Sequence, residues 1–225
     1  MDRKITDIKQ QKNNPNRVNI YLDGEFAFGI ARIVAAWLQV GQILDETKIE
    51  TLQQQDTKEV AFQKALRFIS YRPRTESEVR KKLESQGFSE SVVGETVERL
   101  ISGQLIEDER FARSWIDDRS TFHPRSRRVL TLELRKKGVA EETISTALAD
   151  ATSEDELAYQ AAKHRIRRFQ NLEYREFREK LSGYLARRGF NYGTIAPVVQ
   201  KVWHELHSAQ SDGLDENEGD IYDMG

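Results

Sequence analysis

The chain has 225 residues, of which 38% are hydrophobic and 32% charged, with four prolines, no cysteine and a formal net charge of −2. That length supports one or two compact domains or an array of smaller units. No apolar run approaches the ~20 residues of a membrane span, the opening MDRKITDIKQ lacks a signal peptide's apolar core, and a chain without cysteine suits a reducing cytoplasm.

Two apolar runs, RVNIYL and EFAFGI, flank Asp23-Gly24, a dipeptide suited to the two positive φ angles of a tight hairpin. Pairing Leu22 with Glu25 sets Tyr21 opposite Phe26 and Ile20 opposite Ala27, which leaves apolar residues on both faces and predicts cover on both sides. Residues 5–12 supply a third strand through the turn NNPN. Residues 31–38 read as a short helix ending near Gly41, and Asp45 caps another that runs to Gln55. Residues 1–55 are therefore expected to form a small α+β module.

From Asp56 onward strand signals vanish. Thr75-x-x-Glu78 is a capping box, in which hydroxyl and carboxylate satisfy free amides at a helix start. The helix it opens carries Val79 and Leu83 on one face and stops at Gly87, which takes the left-handed conformation cheaply. A second helix carries Val93, Val97 and Leu100 and stops at Gly103. Ahead of the box, Ala65, Leu66 and Ile69 mark a further helix that Pro73 ends.

A shift of 51 residues repeats this pattern. Val79, Leu83, Gly87, Val93 and Val97 become Leu130, Leu134, Gly138, Ile144 and Leu148, and then Leu181, Leu185, Gly189, Ile195 and Val199. The opening helices match less strictly: Phe111, Ala112, Trp115 and Ile116 in the second copy, and Ala158, Ala162, Ile166 and Phe169 in a longer third one capped by Ser153-x-x-Glu156. The expected fold is mainly α: three tandem three-helix units, at 56–106, 107–152 and 153–207, in an elongated array preceded by the hairpin-bearing module. Residues 208–225 read as an acidic disordered tail.

Catalytic constellations are scarce. His204 and His207 sit at i, i+3, a spacing compatible with two metal ligands, but no nearby carboxylate cluster completes a site. No phosphate loop, dinucleotide fingerprint or nucleophile elbow is present. The sequence makes no case for an enzyme, a cofactor or a metal.

Charge is the better lead. Residues 60–206 carry 27 Lys and Arg against 22 Asp and Glu, whereas residues 211–225 carry six acidic side chains and no basic one. Basic clusters recur with the repeat, and arginine's planar fork suits phosphate and carboxylate. Arg72, Arg74, Arg125, Arg127 and Arg128 lie in connections and helix starts, where the helix dipole opposes them, so partner contact explains them better than helix stability does. Arg187 and Arg188 sit at a helix end that favours cations, with partner contact as an additional role. Arg165, Arg167 and Arg168 straddle Ile166 within a helix as a solvated face, and Arg165 and Arg168 join the binding candidates. Phe111 and Trp115 read as core. Tyr71 and Phe122, related by the same shift, read as packing between units rather than as base-stacking platforms.

RPRTESEVRKKLESQGF (Arg72 to Phe88), DERFARSWIDDR (Asp108 to Arg119), LELRKKGV (Leu132 to Val139) and LSGYLARRGF (Leu181 to Phe190) resemble, in order and spacing, the successive signatures of the RecX family of bacterial RecA regulators. NRVNIYLDGEFAFGI is similar to the extension of its longer members. Ser126 stands where many members have glycine. The resemblance implies three tandem three-helix units and a non-enzymatic regulator. It implies binding along the groove of the RecA filament on single-stranded DNA, with inhibition of recombinase and coprotease activities in recombination, repair and the SOS response. Direct DNA contact is secondary in that picture, no membrane is involved, and a monomer is expected. A stand-alone nucleic-acid-binding protein is the alternative, which the near-neutral total charge disfavours. A further expectation is that the acidic tail competes with DNA for the basic face.

Overall fold

The computed structural model describes residues 2–211, with side chains to residue 208. It divides into two compact units, Met1–Glu107 and Asp108–Gly225. The expected acidic tail falls largely on residues 212–225, outside the described residues.

In the first unit, β1 (Arg3–Gln11), β2 (Asn14–Leu22), β3 (Glu25–Ala31) and β4 (Ile43–Leu44) form a sheet in the order β3-β2-β1-β4, every neighbouring pair antiparallel. Asp23 and Gly24 take φ of 51° and 91°, as the two-residue turn requires. Leu22 pairs with Glu25 and Tyr21 with Phe26, but Ile20 then pairs with Phe28. A bulge takes up Ala27, and this one-residue slip changes which side chains share a face. It turns Phe28 and Ile30 toward the side that holds Val18 and Ile20, and all four are buried. Cover on both sides is therefore not what forms: Phe26 stays 58% exposed.

The helix expected over residues 31–38 is absent. Ala31 completes β3 opposite Arg17, and Arg32 continues the ladder by donating its N–H to Asn16. A run of turns then carries the chain to Gly41, whose φ is 95°. So short a segment does not recover the cost of helix nucleation by itself, and its first residue is already held extended in the sheet.

Helix α1 (Glu46–Ser70) opens on Asp45, whose side chain accepts from the Lys48 N–H, and passes through residue 55 without a break. Asp56, a poor residue for a helix interior, is occupied laterally. Its carboxylate takes both arms of the Arg17 guanidinium at 2.7 and 3.1 Å and the Ala31 N–H at 2.7 Å. Helix α1 thus serves two cores. Leu52 joins Ile5, Ile20, Leu22 and Ile30 under the sheet. Further along, Ala61, Phe62 and Ala65 pack with Val79 and Leu83 of α2 (Glu76–Glu84) and Val93, Val97 and Leu100 of α3 (Glu90–Ser102).

The second unit holds α4 (Asp108–Phe122), α5 (Arg127–Lys136), α6 (Glu141–Ala149), α7 (Glu154–Lys163), α8 (Tyr174–Arg187) and α9 (Tyr192–Ser211). They share one continuous core that includes Ile116, Leu130, Leu134, Ile144, Leu157, Phe177, Leu181, Leu185 and Val199. The helix that opens the third repeat is shorter than expected: α7 stops at Lys163, and Ile166–Arg168 form a single 3₁₀ turn.

The 51-residue punctuation appears as one motif made three times. Gly87, Gly138 and Gly189 have φ of 84°, 82° and 94°. The next N–H reaches back to the repeat leucine: Phe88 to Leu83, Val139 to Leu134, Phe190 to Leu185. This is the Schellman closure, and the apolar residue after the glycine packs onto each core. The molecule is mainly helical, with three three-helix units and an N-terminal four-stranded sheet.

Candidate polyanion-binding surface

Arg72 and Arg74 lie in the connection between α1 and α2. The Arg72 guanidinium forks onto Glu78 at 2.9 and 3.2 Å and donates to the Pro73 carbonyl at 2.9 Å. Arg74 lies 4.0 Å from the centroid of Phe68, and its buried Nε has no hydrogen-bond partner. Burial pushes the Arg74 guanidinium below its ordinary range and the Arg72 charge adds to the effect, while Glu78 opposes it.

In the second unit Arg125 pairs with Glu133 at 2.8 Å, a carboxylate that also accepts from Trp115 Nε1 and Arg119 Nε. Arg127 is largely committed to the fold. Its N–H donates to Glu154, and its guanidinium donates to the Leu148 and Ala151 carbonyls around the end of α6. The adjacent Arg128 is exposed. Ser126 is fully buried; its hydroxyl accepts from the Val129 N–H and its own N–H donates to the Arg188 carbonyl at 3.1 Å.

Three separate segments converge here. Arg188 Nη1 donates to the Pro124 carbonyl at 3.1 Å. The guanidiniums of Arg165 and Arg188 lie 5.1 and 5.0 Å from the centroid of one ring, Tyr184. The α7 exit and the end of α8 thus bring Arg165 and Arg188 together over Tyr184, and Arg188 reaches the α4–α5 connection at Pro124, whereas the neighbouring Arg125 side chain is turned to Glu133. Arg168 and Arg187 are exposed nearby in sequence, and no hydrogen bond or ion pair from their side chains is found among the described residues. Arg72 and Arg74 belong to the other unit.

Such an arrangement can bind a polyanion, because a fork held over a ring keeps free donors at little entropic cost. Phe111 stacks on Trp115 with centroids 5.8 Å apart, and Arg119 lies 4.4 Å from the Trp115 centroid. Arg119 is a packing contact that sequence reasoning missed, although its i, i+4 spacing from Trp115 signals it. Tyr71 and Phe122, both expected to pack between units, are instead 72% and 64% exposed. The His207 ring lies 3.8 Å from that of Trp203, with Nδ1 at 3.0 Å from the Trp203 carbonyl. Among the described residues no group of three or more histidine or acidic side chains could hold a metal ion. No helix among them is long and apolar enough to cross a membrane.

Comparison with known proteins matches the N-terminal module and each of the three helical units. Residues 3–45 match the regulatory protein RecX N-terminal domain. Residues 61–100, 108–148 and 153–199 match the first, second and third three-helix domains of RecX. The chain is 32% identical over 205 residues to the regulatory protein RecX of Bacillus licheniformis, spanning 89% of this chain and 78% of that one. It is 31% identical over 206 residues to that of Bacillus subtilis, with the same coverage. A crystal structure of regulatory protein RecX superposes with a TM-score of 0.69 at 33% identity, covering 85% of this chain and 96% of the other. RecX from Lactobacillus salivarius gives 0.58 at 28%, covering 65% and 97%. A chain that matches the N-terminal module and all three helical domains in order belongs to the RecX family of regulatory proteins.

Proposed function

We propose that this protein is a non-enzymatic cytoplasmic regulator that binds the RecA filament on single-stranded DNA and restrains its recombinase and coprotease activities. The observation that carries the reading is the meeting of Arg165 and Arg188 over the Tyr184 ring, with Arg188 also tied to the Pro124 carbonyl of the α4–α5 connection. Separate elements have no need to gather cations at one place unless something anionic receives them. Arg128, Arg168 and Arg187 extend the surface as free donors, whereas Arg127 supports it from within by tying α5 to α6. Arg72 and Arg74 supply a second contact from the first unit. A regulator held on the filament in this way blocks incoming duplex or cleavage substrate, and the DNA phosphates lie within reach of the same side chains.

The test is titration of the purified protein into RecA–single-stranded DNA ATPase and strand-exchange assays. Both activities are expected to fall at concentrations comparable to recombinase, and no change in either sinks the reading. Joint charge reversal by Arg128→Glu, Arg168→Glu and Arg187→Glu is expected to raise the protein needed for half-inhibition at least about tenfold, one power of ten per ~1.4 kcal/mol lost. Unchanged potency would remove these residues from the contact. A stand-alone nucleic-acid binder would instead bind DNA tightly with steep salt dependence and leave the recombinase assays unaffected.

A further inference from the structure

A cleft of about 660 Å³ opens in the first unit between the sheet and α1. Asn14, Asn16 and Arg32 line its sheet wall, and Gln63, Lys64 and Arg67 line its helix wall. Two charged residues of the lining are already neutralised. Arg17 is forked onto Asp56, and Glu59 pairs with Arg99 at 2.8 Å while accepting from Gln63. Arg32, Lys64 and Arg67 remain: all three are exposed, and none has a carboxylate partner among the described residues.

Lys64 and Arg67 stand at i, i+3 on α1, so their charges project from one face. Arg67 Nε donates to Tyr71 Oη at 3.4 Å, which places the Tyr71 ring beside the last cation of the row. That ring is 72% exposed. The cleft therefore presents uncompensated cations and amide side chains, and an exposed aromatic ring stands just outside its lining, next to Arg67.

We propose that this cleft holds a single-stranded nucleic acid, with its phosphates on Arg32, Lys64 and Arg67 and one base stacked on Tyr71. A cationic track with an aromatic platform is how proteins bind single strands without reading their sequence. A duplex keeps its bases paired and stacked, and leaves Tyr71 no free face to meet. An acidic peptide satisfies the cations but offers no flat partner to the ring. Small-molecule pockets of this size are lined mainly by apolar side chains, whereas the aliphatic lining here is Ala31, Ile33 and Val60. The inference adds a DNA contact in the N-terminal half of the chain to the proposed function. It is tested without recombinase, so either can fail while the other stands.

The experiment is fluorescence anisotropy of a labelled oligothymidylate with the full-length protein over a series of salt concentrations. The combined Arg32→Ala, Lys64→Ala and Arg67→Ala variant should lose at least about tenfold in affinity at low salt. Its log affinity against log salt should flatten by about 2, since each phosphate contact on a single strand contributes ~0.7 to the slope. Tyr71→Ala should weaken binding about tenfold with the slope unchanged, and Tyr71→Phe should restore it. Lys48→Ala, at the far end of the same helix, should bind as the parent does. Circular dichroism melts matching the parent show that the exposed substitutions leave the fold intact. Unchanged affinity and slope in the triple variant would overturn the proposal. So would displacement of the oligonucleotide by thymidine monophosphate at equal phosphate concentration, which marks a small-anion site. Displacement by a polyglutamate peptide of matched charge, as effective as unlabelled oligonucleotide, would overturn it in favour of a protein partner.

Discussion

Gly87 and Gly189 occupy the same place in two repeats and the same left-handed backbone, yet their surroundings differ. A Cβ built on Gly87 meets nothing within 4 Å, whereas one built on Gly189 lies 2.3 Å from Val129 Cγ2 and 2.5 Å from Ser126 Oγ. Gly87→Ala is expected to cost about 1 kcal/mol, the left-handed penalty alone. Gly189→Ala should cost about 3 kcal/mol or more, because a stiff valine and a buried serine must also yield. Urea unfolding of the two variants measures the difference, and equal losses would refute the close approach. The left-handed turns are legible in the sequence because glycine recurs at a fixed step. The crowding at Gly189 is not, because its cause lies 63 residues earlier at Ser126. Ser126 itself is legible as the counterpart of the Thr75 cap, 51 residues on. Arg127 reads as a partner contact in the sequence because spacing alone cannot show the carbonyls of α6 behind it.

Helix α7 is held to α9 by a polar cluster on their flanks. Glu205 accepts from Tyr159 Oη at 2.8 Å and from Lys163 Nζ at 3.3 Å. The tyrosine hydrogen bond first, then Lys163, holds the Glu205 carboxyl below its ordinary value of 4.5. A carboxyl lowered on folding contributes stability that is present above its unfolded pKa and is lost as pH falls through the lower folded value. The melting temperature is therefore expected to drop as pH is taken from 5 to below 4.5, the loss from this cluster being small because it faces solvent. Tyr159→Phe should lower the melt at neutral pH and narrow its gap to the parent in acid; a gap independent of pH would rule the linkage out. At this scale periodicity finds the helices but misplaces some ends. Helix α1 runs on past residue 55 because Arg17 and the Ala31 amide, both distant in sequence, occupy Asp56. Helix α7 gives way to the 3₁₀ turn at Ile166–Arg168, and no single residue of that stretch announces the stop.

Across the whole chain, charge is divided between a basic body and the acidic residues 211–225. If that segment competes with DNA for the basic surfaces, deleting residues 211–225 should tighten single-stranded DNA binding several-fold at low salt, with the gain fading as salt screens both interactions. Unchanged affinity at low salt would dispose of the competition. The three-unit architecture is legible because five apolar and glycine positions return together. Which arginines meet is not, since Arg165 and Arg188 come together only through the fold around Tyr184.

Helix α1 places Leu52 in the sheet's core and Ala61, Phe62 and Ala65 in that of the first repeat. The N-terminal module is therefore not a detachable appendage. Cutting at residue 45 strips the apolar cover from the first half of a 25-residue helix, and cutting at 55 severs the helix itself and parts Asp56 from Arg17. Transplanting the module onto another protein means carrying α1 with it, and shortening the chain to its helical repeats means giving the remaining half of that helix a new beginning.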